Sequence, residues 1–462
     1  MSNRTEHDLL GSREIPSDAF YGIQTLRAME NFPVSGRPVN RRLLQAGALV
    51  KMACARANVR CGYLATGIGE AIESACEAVA TGEHDDSFPV DALQGGAGTS
   101  TNMNWNEVIA NIASKQSGLE ITPHEHVNLH QSTNDVFPTA VKVAAISAFG
   151  DLEVAVISLL EALQAKERAF ADVVKLGRTQ LRDAVPTTLG REFGAWATAV
   201  GRDRWRISKC VERLRVVNLG GTAIGTGITA PRKYIFCAVE CLREITGMNL
   251  ARAENLIDAT MNTDPFVEVS GILKSHASIL CKVARDLRII SSGPNGGLAE
   301  IELPAVQPGS SIMPGKINPV IPEMVMQVAF RVMANDHGVT LAASSGELEL
   351  NPFLPLLADS LLENLDMLAC CDKILADKCI EGIVAFPERC RDMMERSAEI
   401  VTALIPVTGH EVAVELAKKM QAENVTVRQA ALECTELTEQ QLDQLLSAEA
   451  LCALGTRERD DA

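Results

Sequence analysis

What this sequence has little of narrows it first. Aromatic residues make up 4% of the 462, and the many alanines among them suit closely packed helices. Basic residues are outnumbered, 43 against 59 acidic ones, for a formal charge of −16, and they are scattered along the chain. That balance argues against the electrostatic footprint of a nucleic-acid binder or of a protein docked on an anionic membrane. No stretch of 18 or more uninterrupted apolar residues occurs, and the opening MSNRTEHDLLGSREIPSD is polar. A membrane span or secretory leader is therefore not expected, and a cytoplasmic protein is. Neither a GxxxxGK[ST] loop nor a GxGxxG after a strand is present, so no nucleotide cofactor is called for. Internal repeats and low-complexity tracts are missing too.

What is present is a folded globular chain, 47% hydrophobic and long enough for two or three domains. Its thirteen cysteines fall mostly inside helical patterns, which suits reduced, buried thiols. Cys237 and Cys241 are spaced for one helix face and Cys370 and Cys371 are adjacent, but no His or Asp constellation accompanies either pair, so zinc is not expected. Apolar residues recur at helical spacing over 141–175, 266–292 and 324–344, the last expected to start just after Pro322. The pattern predicts a mostly α protein with a central bundle of long helices. The expected division is an N-terminal mixed domain over 1–138, a central helical domain over 139–396 and a small C-terminal helical domain over 397–462.

Four polar segments interrupt the apolar pattern: GGAGTSTNMNWNE (95–107), HVNLHQSTNDVFPT (126–139), GRTQLRDAVPTTLG (177–190) and GSSIMPGKINP (309–319). Each adjoins an expected helix terminus, where backbone N–H groups and the helix dipole favour an anion. Any one of them alone reads as a cap and turn. Together their Thr, Ser and Asn side chains, with Lys316 and Arg178, are the groups that would grip a small molecule bearing two carboxylates. Such a site works by positioning and charge stabilisation, with no metal-ligand set.

In these four segments, taken in order, and in the opening DLLGSREIPSDAFYGIQTLRAMENF, the whole chain resembles the aspartase/fumarase superfamily. The resemblance implies a three-domain, mostly helical subunit whose central helices assemble into a homotetramer, with active sites shared between three subunits. The implied reaction is an anti elimination from a succinyl compound that yields fumarate through an aci-carboxylate. It needs no cofactor and leaves room for activation by a divalent cation such as Mg2+. Position by position, Ser310 matches the catalytic base, in a loop that closes over substrate. Lys316 and Asn318, helped by Thr179, match the holders of the α-carboxylate. Thr99, Ser132, Thr133 and Ser311 match the cradle of the β-carboxylate, and Asn134 would meet the departing α-substituent.

Branches of the superfamily differ at the residue after the threonine of the GRT segment. Class II fumarases resemble one another in having His there, paired with a glutamate that corresponds to Glu323; this chain has Gln180. Expelling hydroxide from malate needs a proton donor, whereas an ammonium leaves with its proton already in place. A glutamine amide can orient an ammonium but is no general acid. Gln180 therefore favours the amine-eliminating, aspartase-like reaction on a dicarboxylate over fumarase. Lyases of substituted aspartates would use a histidine in the second or third loop, which this chain lacks in the third, and intact Ser310, Lys316 and Asn318 argue against a non-catalytic structural homologue. Arg182, Arg191, Asn295 and Trp105 depart from the aspartase-like pattern and read first as surface drift, and second as signs of a changed amine substituent or a regulatory site. His124, His126 and His130 are expected in caps rather than on a metal, and Asp135 is expected to orient its loop.

Overall fold

The computed structural model describes residues 2–451, 453 and 455; beyond its first residue, the polar GTRERDDA tail lies outside them. A hairpin of β1 (Asn3–Asp8) and β2 (Gly11–Pro16) is followed by α1 (Ile23–Asn31), α2 (Arg41–Cys61), α3 (Thr66–Thr81), α4 (Thr99–Ser117) and α5 (Thr133–Ala169). A second antiparallel hairpin, β3 (Val174–Thr179) and β4 (Arg182–Thr188), leads into α6 (Leu189–Leu214). Short strands β5 (Val216–Val217) and β6 (Ala251–Arg252) bracket α7 (Arg232–Thr246), and α8 (Leu256–Met261) precedes the long α9 (Asp264–Ile290). After β7 (Ile301–Glu302) come α10 (Val320–Ser344) and α11 (Leu354–Leu375), then β8 (Val384–Ala385), α12 (Pro387–Arg396), α13 (Ile405–Thr408), α14 (His410–Glu423), α15 (Val427–Cys434), α16 (Glu439–Leu445) and α17 (Ala448–Leu451).

The protein is mostly helical, as the periodicity predicts, but the helix ends move. The segment expected over 141–175 begins at Thr133, because Ser132 accepts the Asn134 N–H, and stops at Ala169. Lys175 lies in β3 instead. Helix α10 starts at Val320, so Pro322 sits inside its first turn, where a missing N–H costs nothing, rather than ahead of it. Pro138 lies within α5 and removes the N–H that would have bonded the Asn134 carbonyl. That carbonyl accepts from Asn218 Nδ2 at 2.9 Å. The most apolar window of α5 has a mean hydropathy of 1.9, enough for a membrane span by composition, yet 56% of it is buried inside the protein, as in a core helix.

The chain forms two compact units. The first comprises Met1–Val154, Trp205–Ala277 and Ala329–Ala369. In it α2 packs against α3 and α7, and α4 packs against α1 and α3. Trp105 is a core residue here, not surface drift: it is fully buried, its indole N–H donates to the Leu44 carbonyl, and a Cβ on Gly47 would lie 2.1 Å from its ring. The second unit comprises Ala155–Arg204, Ser278–Val328 and Cys370–Ala462. There Val174 and Leu176 of β3 share one apolar core with Ile400, Leu404, Leu416, Val427 and Leu442. Thr426 and Thr438 start α15 and α16 with reciprocal capping boxes.

Candidate active site

In the first unit, two polar segments converge at helix N-termini. Thr99 is the first residue of α4 and is exposed; the glycine before it is left-handed at φ +93, and a Cβ there would fall 2.4 Å from the Phe137 ring. The start of α4 is thus pressed against the first turns of α5, beside Ser132, Thr133 and Asn134. Asp135 fixes that segment. Its buried carboxylate accepts the Ser132 N–H at 3.0 Å on one oxygen, and those of Gly220 and Thr222 at 2.9 and 3.1 Å on the other. Burial pushes this carboxyl up to about 6, against the three N–H bonds that favour its charge. Asn134 Nδ2 donates to the Ala223 carbonyl at 2.7 Å, which leaves Oδ1 as the acceptor end of that amide.

Behind this segment sits a feature that the sequence alone did not reveal. Lys51 of α2 is fully buried, and its ammonium donates to Asn128 Oδ1 at 3.0 Å and Gln131 Oε1 at 2.9 Å. Burial pulls it down to about 8. His130, left-handed at φ 61, has Nδ1 2.7 Å from Asn58 Oδ1, and burial lowers its pKa. His126 Nδ1 accepts the Thr122 N–H, a turn-capping role. Among the described residues no group of three or more His, Cys, Asp or Glu side chains could hold a metal ion.

In the second unit, Thr179 and Gln180 stand at the tip of the β3–β4 hairpin. Thr179 pairs with Arg182, and the two linking residues, Gln180 and Leu181, both have positive φ, 53 and 62. This is the backbone of a type I′ turn, which normally takes Asn or Gly. The ladder shifts register around Gly177, where a Cβ would lie 2.5 Å from the Val185 carbonyl. Arg178 corrects the sequence reading. Rather than reaching for a substrate, its guanidinium is committed to the fully buried Glu300 at 2.7 Å, and Lys175 bridges Glu300 and Glu192 at 2.7 and 2.5 Å. The four charges form a clamp under the hairpin tip, buried at Glu300 and Lys175 and partly exposed at Glu192. Beside it opens a cleft of 480 Å³, lined in part by Gln180, Arg191 and Lys282; Arg182 is not in its lining.

The Gly309–Pro319 loop is closed at its base. Gly309 N–H donates to the Lys316 carbonyl at 2.7 Å and Asn318 Nδ2 donates to the Gly309 carbonyl at 2.6 Å. One of the two Asn318 amide hydrogens is therefore spent on the loop itself. Ser310 is half-buried, and its Oγ accepts from the backbone N–H groups of Ile312 and Met313 at 3.2 and 3.0 Å. Ser311 and the Lys316 side chain are exposed, as are Ile312, Met313 and Ile317. Thr179, Gln180, Ser310, Ser311, Lys316 and Asn318 thus lie in the second unit, and Thr99, Ser132, Thr133 and Asn134 in the first.

With this geometry in view, the comparisons agree with one another. Residues 11–334 match the family model described as Lyase, and 400–453 match that of the fumarase C C-terminus. Aspartate ammonia-lyase of Pseudomonas aeruginosa is 49% identical over 426 residues, 90% of each chain. Its counterpart in Escherichia coli is 44% identical over 462 residues, covering 98% of this chain and 97% of that one. Among solved structures, a fumarate lyase:delta crystallin from Brucella melitensis, bound to cobalt, superposes with a TM-score of 0.93 at 47% identity, over 97% of this chain and 99% of that one. A class II fumarase from Schistosoma mansoni superposes nearly as well, at 0.91 over 97% and 98%, but is only 31% identical. A shared fold with higher identity to the amine lyases, and a glutamine where fumarases carry histidine, place the chain in the aspartate ammonia-lyase family of the aspartase/fumarase superfamily.

Proposed function

We propose that this chain deaminates L-aspartate reversibly to fumarate and ammonia, by anti elimination through an aci-carboxylate. The observation that carries the chemistry is Ser310, whose oxygen accepts two backbone N–H groups. A free serine hydroxyl is a weak base; donors aimed at its oxygen favour the alkoxide that removes the Cβ proton. Thr99, Ser132, Thr133 and Ser311 receive the charge that develops on the β-carboxylate. Lys316, Asn318 and Thr179 hold the α-carboxylate. Asn134, held by Ala223 so that its Oδ1 is the acceptor end, takes a hydrogen bond from the α-ammonium, and Gln180 orients the same group. Nitrogen leaves with its proton already attached, so the site needs no acid at position 180.

The pieces fall in both units, which suits the proposed homotetramer with active sites drawn from three subunits. The proposed protomer has three domains, divided near 138 and 396. The proposed setting is the cytoplasm, with a small dicarboxylate as partner and neither nucleic acid nor membrane. The proposed reaction requires no cofactor, with activation by a divalent cation such as Mg2+ as a further proposal.

Absorbance of fumarate at about 240 nm, with L-aspartate and L-malate supplied separately, tests the reading. Product from aspartate, with a loss of about 10²–10⁴-fold in Ser310→Ala, is expected. Product from malate alone would overturn the amine-elimination reading, and full activity in Ser310→Ala would overturn the base.

A further inference from the structure

A lysine ammonium enclosed in protein ordinarily bonds a carboxylate. Among the described residues Lys51 bonds none. It is fully buried in α2, and its Nζ donates to two amide oxygens, Asn128 Oδ1 at 3.0 Å and Gln131 Oε1 at 2.9 Å. From α4, Asn102 and Asn106 donate their Nδ2 groups to the same Asn128 oxygen at 3.3 and 3.2 Å, while their own amide oxygens are buried with no partner among the described residues. Cys54 on the same helix, Cys76 on α3 and Tyr234 on α7 are fully buried too, and burial raises the pKa of all three, so none is a counter-ion at neutral pH. His130, in the turn itself, faces Asn58, and burial lowers its pKa. Asp135 on α5 is the carboxylate whose field favours the ammonium, but both of its oxygens take backbone N–H groups.

We propose that Lys51 is a positioning residue for the reaction: its charged ammonium holds the 128–131 turn and, through it, sets Ser132, Thr133 and Asn134 against substrate. This rests on the assignment of those three residues above. Gln131 directly precedes Ser132, and its Nε2 donates to the Val127 and Leu129 carbonyls at 2.9 and 3.2 Å. Asn128 Nδ2 donates to the Gln131 carbonyl at 3.3 Å. Asp135 grips the next peptide through the Ser132 N–H at 3.0 Å. The start of the substrate segment is thus held by a cation on one side and an anion on the other, neither of them assigned to substrate.

The charge matters because hydrogen bonds from an ionised donor are roughly twice as strong as neutral ones. Loss of the Lys51 proton therefore loosens its hold on both amide oxygens. With neutral amides as its only hydrogen-bond partners, burial brings that loss within reach and pulls the pKa down to about 8. Activity is lost on the alkaline side as the ammonium becomes an amine.

Profiles of kcat/KM for L-aspartate against pH, followed as fumarate release in the full-length wild type, Lys51→Met and Asn128→Asp, test this. Wild-type activity should fall as pH rises through about 8. Lys51→Met keeps the chain length without the charge; it should be about 10²-fold slower at neutral pH and show no such limb. Asn128→Asp sets a carboxylate against the ammonium, which then keeps its proton to higher pH, so the limb should move up. A merely structural lysine would lower activity without moving a limb, and the titration of the substrate itself is common to all three proteins. The role is overturned by a wild-type profile that is flat through about 8, by the same limb in Lys51→Met, or by a limb that stays in place in Asn128→Asp. The last comparison decides even if Lys51→Met folds poorly. Wild-type protein that forms no fumarate at any pH would overturn the reaction itself, and this role with it.

Discussion

Asp135 shows how a residue that never touches substrate can set the acid limb of a reaction. Its carboxylate holds Ser132 to the Gly220–Thr222 turn through three N–H bonds, and burial raises its pKa from 3.8 to about 6. Protonation below that value removes acceptor capacity, so kcat/KM should fall as pH drops through about 6. The stability sign runs the other way. A carboxyl whose folded pKa lies above its unfolded value is a cost while ionised, and that cost is relieved as pH falls from 6 toward 3.8. Activity should thus be lost on the acid side with no drop in thermal midpoint from this group. Asp135→Asn, which turns an amide N–H toward donors, should cost about 1–3 kcal/mol of stability and abolish the limb near 6; pH–rate profiles of both proteins read it. A limb unchanged in the variant would assign it elsewhere.

At the scale of elements, two devices around the site carry measurable strain or compensation. Gln180 and Leu181 adopt left-handed backbone without being Gly or Asn, and Leu181 is 74% exposed, so little packing is lost on replacing it. Leu181→Gly should stabilise the hairpin by roughly 1 kcal/mol, seen as a raised midpoint, whereas Gln180→Gly should gain similar stability and lose aspartate turnover. In α5, Pro138 orphans the Asn134 carbonyl and Asn218 satisfies it. Asn218→Ala should cost about 1–3 kcal/mol in wild type and less in a Pro138→Ala background, where the helix can supply its own N–H; a double-mutant cycle by chemical denaturation measures the difference. These pairs explain what the sequence could convey. The polar loops were legible because their chemistry is contiguous, and the long helices because apolar spacing is local. Arg178 looked like a substrate ligand because Glu300 is 122 residues away, and Trp105 looked like drift because Gly47 makes its room from another helix. Spacing cannot report a partner brought in by the fold.

For the whole molecule, the strongest consequence of the proposal concerns assembly. Thr133 belongs to the first unit and Ser310 to the second, and the proposed sites take such segments from different subunits. Ser310→Ala removes the base, and Thr133→Val removes a buried hydroxyl while keeping its volume, so each homotetramer should be nearly inactive. If the two variants are denatured together in equal amounts and refolded, subunits mix at random. A site is then intact when the subunit giving its Ser310 carries the Thr133 substitution and the one giving its Thr133 carries the Ser310 substitution. Each condition holds in half of the cases, so roughly a quarter of wild-type activity should return. Sites built within single subunits would return none, because every site would then carry one lesion or the other. The same mixture run on a sizing column with light scattering gives the subunit count.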